Sequence, residues 1–283
     1  MAFQISEEEL ALLTGYIRDY AGLVFSGPQE HLFHRRVKKR IDANMLQSAR
    51  EYYHFIRFDP KRGDEMRELI NLITVNETYF FREAPQMALF KDELLPLLRE
   101  KNRQEKTIRI WSAACSNGAE PYSIAILIRE SGLFTDGGWR VELYGTDINA
   151  EAIQTARLGL YTANAFRGVD GAIQNKYFSL KEPGVWELDP GIRQMVHFSL
   201  LNLYNPAQIK LMRNMDVILC RNVLIYFDTE GKKQVSEHLY GSLRPSGYLV
   251  IGQSESLFKV TTLYKMAPMG NVLVYQRPAE EAD

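Results

Sequence analysis

The sequence predicts an α/β protein in which a mainly parallel sheet, covered by helices on both faces, follows a small all-α domain. Two patterns predict it. Up to about Thr74 the apolar residues recur only at helical spacing, and beyond Thr107 short apolar runs alternate with helical stretches. Length allows both units, since 283 residues with 46% hydrophobic content can bury a substantial core.

The elements follow in order. Ser6 with Glu9 three residues on reads as a capping box, and Leu10, Leu13, Ile17 and Tyr20 continue at helical spacing. Phe33, Val37 and Ile41 make a second stripe, and Met66, Leu69, Ile70 and Ile73 a third. Residues 1–75 are therefore expected as a helical domain and 76–106 as a connecting segment with a linker helix, for which Pro85 suits the first turn. The second domain is expected over 107–278, with strands at Thr107–Ala113, Arg140–Thr146, Met215–Cys220 and Tyr248–Ile251. Helices are expected at Tyr122–Ile128, from Asn149, and over Asp228–Leu243, and Asn271–Gln276 as a returning antiparallel strand. A hairpin about Pro183 and Gly184 marks a small β-subdomain near 170–193, and 279–283 reads as a disordered tail.

Composition narrows the function. Lys and Arg total 34 against 35 Asp and Glu, so nothing draws the whole chain toward nucleic acid or an anionic membrane. Cys115 and Cys220 form neither a disulfide framework nor a zinc spacing, and His31 with His34 lacks a third ligand, so no metal is expected. The acidic start and the lack of a long apolar run predict a cytoplasmic protein without membrane insertion.

In an open parallel sheet, ligands bind beyond the carboxyl ends of the strands. Four polar turns fall there. Ala113–Pro121 offers small residues but no GxGxxG, which disfavours a dinucleotide. Glu120 within it either complements a helix dipole or holds a ligand's ammonium group, and Asp147 either caps a helix or accepts from a ribose diol. The third turn carries Asn202 and Leu203. The fourth carries Arg221, Asn222 and Tyr226, where a buried strand delivers an arginine that demands a partner, in a ligand or in the protein itself. A polar cluster, Asn76 to Glu83, joins the two domains and is placed to close over this edge.

One helix is strongly basic. Between His31 and Arg40 there are five Lys or Arg and no acid, and a helical wheel sets Arg35, Arg36, Lys38, Lys39 and Arg40 away from the Phe33–Val37–Ile41 stripe. This reads as a solvated face or as a docking face for an acidic partner.

Taken together, Asn76-Glu-Thr-Tyr-Phe-Phe-Arg82, Ile110-Trp-Ser-Ala-Ala-Cys-Ser-Asn-Gly-Ala-Glu-Pro-Tyr-Ser123, Gly145-Thr-Asp-Ile148 and Cys220-Arg-Asn-Val-Leu-Ile-Tyr-Phe227 resemble the CheR family of chemotaxis receptor methyltransferases. The resemblance is ordered and spans nearly the whole chain. It implies an N-terminal helical domain, a Rossmann-like S-adenosylmethionine methyltransferase sheet, and a small inserted β-subdomain. By motif position it implies cofactor contacts at Asn76, Thr78, Arg82, Glu120, Asp147, Asn202, Leu203, Arg221 and Asn222, for S-adenosylmethionine and its product S-adenosylhomocysteine. Arg82 and Tyr226 match positions that face the methyl acceptor, and the implied reaction is esterification of glutamates on chemoreceptor cytoplasmic helices.

Two departures stand out. Asn117 and Ala119 occupy positions where the family more often has Thr and Glu. The glycine-containing insertion that docks a receptor's C-terminal pentapeptide in some members has no counterpart between Lys176 and Gln194, so engagement without that tether is expected. A methyltransferase acting on nitrogen would typically carry Asn-Pro-Pro-Tyr or a relative where Cys220-Arg-Asn-Val stands, and a regulatory module that binds the cofactor without catalysis is the other alternative.

Overall fold

The computed structural model describes residues 5–279. Four helices form the first domain: α1 (Glu7–Ala21), α2 (Pro28–Ala43), α3 (Ala49–Phe58) and α4 (Arg62–Ile73). The Ser6–Glu9 capping box starts α1, with Ser6 Oγ accepting from Glu9 N and Glu9 accepting from Ser6 N. Leu13 and Ile17 of α1, the Phe33–Val37–Ile41 stripe of α2, and Leu69 and Ile70 of α4 pack into one core with Tyr52 and Ile56 of α3. Tyr20 departs from its expected stripe and is 44% exposed.

A buried charge ties three of these helices together. Glu65 of α4 accepts a forked pair from Arg40 of α2, at 2.9 and 2.6 Å, and a third bond at 2.7 Å from the Tyr52 hydroxyl of α3. Arg40, expected on the outer basic face, is thus turned inward. The reason is that α4 supplies the acids, Glu65 and also Glu68, that α2 lacks.

Helix α5 (Ala84–Leu89) widens into a π turn over Phe90–Leu94 and continues as α6 (Leu95–Lys101). The second domain then runs β1 (Thr107–Ala113), α7 (Ala119–Ser131), β2 (Arg140–Asp147), α8 (Ala150–Leu158), β3 (Leu160–Thr162), α9 (Gly171–Tyr177), β4 (Phe178–Glu182), β5 (Val185–Leu188), α10 (Pro190–Arg193), β6 (Val196–Leu200), α11 (Pro206–Ile209), β7 (Met215–Cys220), α12 (Thr229–Ser242), β8 (Leu243–Ile251), β9 (Lys265–Met269) and β10 (Val272–Gln276). Seven strands form one sheet in the order β6-β2-β1-β7-β8-β10-β9, parallel from β6 to β8 and antiparallel at β10 and β9. The chain leaves β1 in one direction toward β2 and β6 and returns on its other side at β7, which makes the switch point the β1–β7 boundary.

Three strands escape the sequence reading. β6 is a half-exposed edge strand whose end reads as a turn, β3 has only three residues, and β9 contains Pro268, tolerated because it lies at the sheet edge. Because β3 pairs with β5, the small three-stranded sheet begins at Leu160 and not near residue 170. Of the expected tail, residues 280–283 lie outside the described residues. No helix among the described residues is long and apolar enough to cross a membrane.

The two domains meet through short polar links. Val24 N donates to Tyr226 O at 2.9 Å, Asn149 Nδ2 donates to Asn71 O and Thr74 Oγ1, and Arg18 pairs with Asp228 at 2.6 Å. Gly22, in the left-handed region at φ 72°, permits the tightest approach, since a Cβ there would lie 2.7 Å from both Phe227 and Tyr204.

Burial pushes the Glu65 carboxyl up, but the bonds from Arg40 and Tyr52 outweigh it and hold its pKa below the ordinary value. A depressed folded-state pKa contributes stability above the unfolded-state value, and that stability is lost as pH falls through the folded-state value. Replacing Glu65 with Gln should therefore cost about 2–4 kcal/mol at pH 7, somewhat less than a fully enclosed pair because Arg40 is partly solvated. Urea unfolding measured from pH 7 to pH 3 checks both parts, and the variant should show the shallower acid dependence.

Candidate active site

The parallel strands end in loops that are held by buried side chains. After β1, Ala114 and Ser116 adopt positive φ, and Ser116 N donates to Asp147 Oδ2 at 2.7 Å. Asp147, at the end of β2, also accepts from Asn149 N at 2.9 Å, so it closes both turns at once. Burial raises its pKa, with the backbone N–H groups opposing the rise. Each of its oxygens keeps a lone pair beyond these bonds.

Arg221, directly after β7, is almost wholly enclosed and its bonds are met within the protein. Its guanidinium donates to Glu120 Oε2 at 2.7 Å, Arg82 O at 2.6 Å, Glu83 Oε2 at 3.2 Å and Gln86 Oε1. Of the two partners the sequence allowed for Arg221, the protein supplies these. Glu120 also accepts from Ser112 Oγ at 2.6 Å, and Glu83 accepts from Asn222 Nδ2 at 3.0 Å. Burial pushes Glu83 up, yet Asn222 and Arg221 hold its pKa below the ordinary carboxylate value.

These loops open onto one cavity of about 200 Å³ between the domains. Asn76, Thr78, Arg82, Glu120, Asp147, Arg221, Asn222 and Tyr226 all line it, drawn from four separate stretches of chain. Asn202 and Leu203 do not. Asn202 sits at the domain junction, donating from Nδ2 to Tyr20 O at 2.7 Å and accepting from Tyr204 N at 2.9 Å, and Leu203 is packed in the core beneath α12. The backbone is held out of its ordinary conformations around this space: Phe81, Ala114, Ser116 and Asn222 line it with φ of 56°, 59°, 51° and 57°.

The helical domain contributes the far wall with Val24, Phe25, Leu32 and Arg36. Arg36 is the second departure from the expected outer basic face, for it points into the cavity, where Nη1 donates to Ile73 O at 3.0 Å. Burial and the neighbouring Arg35 lower its pKa, and no acid is within salt-bridge reach among the described residues. Across the cavity, Arg82 donates to Glu77 O at 3.2 Å and lies over the Tyr79 ring. Burial raises the Tyr226 phenol, Arg82 opposes that, and Glu77 and Glu255 add to it.

Residues 8–74 match the family model described as CheR methyltransferase, all-alpha domain, and residues 76–273 match that of its SAM binding domain. The chain belongs to the CheR methyltransferase family. It is 34% identical over 280 residues to chemotaxis protein methyltransferase 2 of Vibrio cholerae, covering 97% of this chain and 94% of that one. It is 31% identical over 271 residues to chemotaxis protein methyltransferase 1 of Pseudomonas aeruginosa, covering 95% and 97%. Among solved structures, magnesium protoporphyrin IX methyltransferase of Synechocystis, with bound SAM, aligns over 79% of this chain and 93% of that one at 14% identity and a TM-score of 0.36.

In this CheR-family chain several site residues went unread in the sequence. Gln86 lies in a helix whose first turn reads as merely structural, Ser112 is an inward strand position, and Glu255 follows β8 in a loop without a motif, while Glu83 closes the Asn76–Glu83 cluster expected at this edge. Arg36 was within the basic face expected on α2, and only its direction differs, since it lines the cavity.

Replacing Arg221 with Met should leave Glu120 and Glu83 without their cation and destabilise the fold by about 3–5 kcal/mol. Thermal and urea unfolding measure this, and a change below about 1 kcal/mol would remove Arg221 from its central position.

Proposed function

We propose that this protein transfers the methyl group of S-adenosylmethionine to glutamate side-chain carboxylates on the cytoplasmic helices of bacterial chemoreceptors. One observation carries the reading. A single cavity joins the carboxylates Glu120 and Asp147, on the sheet edge, to the cations Arg36 and Arg82 and the Tyr226 hydroxyl. The names of the relatives from Vibrio cholerae and Pseudomonas aeruginosa support chemotaxis as the setting.

The donor set fits the cofactor. Asp147 has acceptor capacity for a ribose diol, Glu120 for an ammonium, and both favour a cationic ligand. Bound S-adenosylmethionine supplies a methyl group on a cationic sulfur that leaves as a neutral thioether, taking up the electron pair of the broken carbon–sulfur bond. The acceptor needs no base, because a glutamate with an ordinary pKa near 4.3 is already ionised at neutral pH. The protein's residues therefore align and desolvate: Arg82, Arg36 and the Tyr226 hydroxyl orient the incoming carboxylate, and the apolar wall of Phe25 and Leu32 excludes water. Orientation must stay loose, since an arginine gripping the carboxylate in the ground state would slow attack.

Receptor engagement is assigned to Arg35, Lys38 and Lys39, the α2 cations that are left outside once Arg36 faces the cavity and Arg40 pairs with Glu65. The β4–β5 hairpin carries no insertion, which supports engagement without a C-terminal pentapeptide tether.

The reading predicts transfer of labelled methyl from S-adenosylmethionine to chemoreceptor-containing membranes, released as methanol in alkali. The rate should be the same for receptors lacking their last residues. Tyr226→Phe should lower the rate about tenfold or more at saturating cofactor, the loss of one bond to a charged group, with calorimetric affinity for S-adenosylhomocysteine kept. Label that survives alkali points to nitrogen as acceptor, and cofactor binding without any transfer points to a regulatory module.

Reversing Arg35 and Lys39 together to Glu should slow receptor methylation at low salt, with the deficit shrinking as salt rises. A normal rate at low salt would make this face of α2 merely solvated.

A further inference from the structure

Glu255 follows β8 and does not line the cavity, yet it holds the turn that does. Its Oε2 accepts from Asn222 N and from Gly252 N, both at 2.8 Å, and its Oε1 accepts from Ile225 N at 3.3 Å. A carboxylate serving only its own loop would need Gly252 alone. Two of the three donors lie instead in the loop after β7, about thirty residues back along the chain.

Asn222 makes the connection matter. It is held at φ 57°, a conformation that a residue with a side chain adopts only when its surroundings enforce it. Glu255 takes its backbone N–H and Glu83 takes its Nδ2, and among the described residues no donor reaches its Oδ1 on the cavity wall. The seat is tight. A Cβ at Gly252 would lie 2.7 Å from Glu255 Oε2 and 2.9 Å from Asn222 N, so only glycine lets the carboxylate and the turn meet. Tyr226 follows Ile225 directly and its own N–H closes on Val223 O, so the turn that Glu255 grips also sets where the phenol stands.

We propose that Glu255 is a positioning residue for methyl transfer, acting through the backbone of the Asn222–Ile225 turn to fix Asn222 and Tyr226 against the cavity. The inference rests on the methyltransferase reading above and adds to it a residue that touches neither cofactor nor acceptor.

The test compares Glu255→Ala and Glu255→Gln with the wild type in the full chain. Three quantities are measured: single-turnover methyl-ester formation on chemoreceptor membranes at saturating S-adenosylmethionine, calorimetric affinity for S-adenosylhomocysteine, and hydrogen exchange by mass spectrometry. Glu255→Ala should speed exchange in the peptide spanning 221–226 with the sheet unchanged. It should lower the transfer rate about tenfold or more, with affinity changed only a few-fold. Glu255→Gln keeps one carbonyl oxygen for the Asn222 and Gly252 N–H groups and should recover most of the rate. Unchanged exchange over 221–226, or an unchanged rate, overturns the proposal. So does a uniform rise in exchange with rate and affinity falling together, which would mark a residue needed only for folding. If the wild type makes no base-labile ester, the glutamate reading fails on its own, and the exchange and affinity arms still decide Glu255.

Discussion

A single guanidinium organises the end of the sheet. Arg221 leaves β7 at the switch point and gathers Glu120 from α7, Glu83 and the Arg82 carbonyl from the interdomain segment, and Gln86 from α5. Gln86 is in turn anchored by its Nε2 to Ile251 O at 2.8 Å, at the end of β8. A planar group with five donors can bind several directions at once, which a lysine cannot. Such a buried charge is costly alone, so the arrangement is all-or-none: each acid keeps the others' cation in place. The loops that carry the chemistry inherit their position from it.

The second organising fact is the cavity's construction from two domains. Arg36, Phe25 and Leu32 come from the helices while Asp147, Glu120 and Asn222 come from the sheet edge. The segment between them, Asn76 to Glu83, is pinned at several points: Asn76 O accepts from Ser116 Oγ, Phe80 N donates to Ala165 O, and Phe81 N donates to Ser123 Oγ. It thereby couples three parts of the molecule, the helical domain, the cofactor-side loop and the β-subdomain. The positive φ values at Phe81, Ala114, Ser116 and Asn222 are local strain that this packing sustains.

Charge is distributed in the same economical way. The α2 sequence reads as a uniform basic stripe, but the fold assigns its cations to three tasks: Arg40 to a buried acid, Arg36 to the cavity, and Arg35, Lys38 and Lys39 to the outside. A helical wheel cannot make that division. It knows which residues oppose Phe33, Val37 and Ile41, and nothing of what α4 and the sheet bring up beside them.

The sequence by itself determined the elements with strong local signals. The Ser6 capping box, the stripes of α2 and α4, the largely buried run of β1 and the wholly buried run of β7, and the Asn149 cap are each written in a few neighbouring residues, because period and capping are local physics. The ordered motifs likewise drew attention to Arg82, Glu120, Asp147, Asn222 and Tyr226, which share one cavity. Only the tertiary structure decided the rest. The short strand β3 exists because β5 offers it a partner, and Asn202 serves the domain junction because Tyr20 arrives there. Arg221 spends its bonds inside the protein because Glu83, Glu120 and Gln86, up to 138 residues away, converge on it. Hydrogen bonds to a buried charge are made by whatever the fold brings within about 3 Å, and no local pattern encodes which residues those will be.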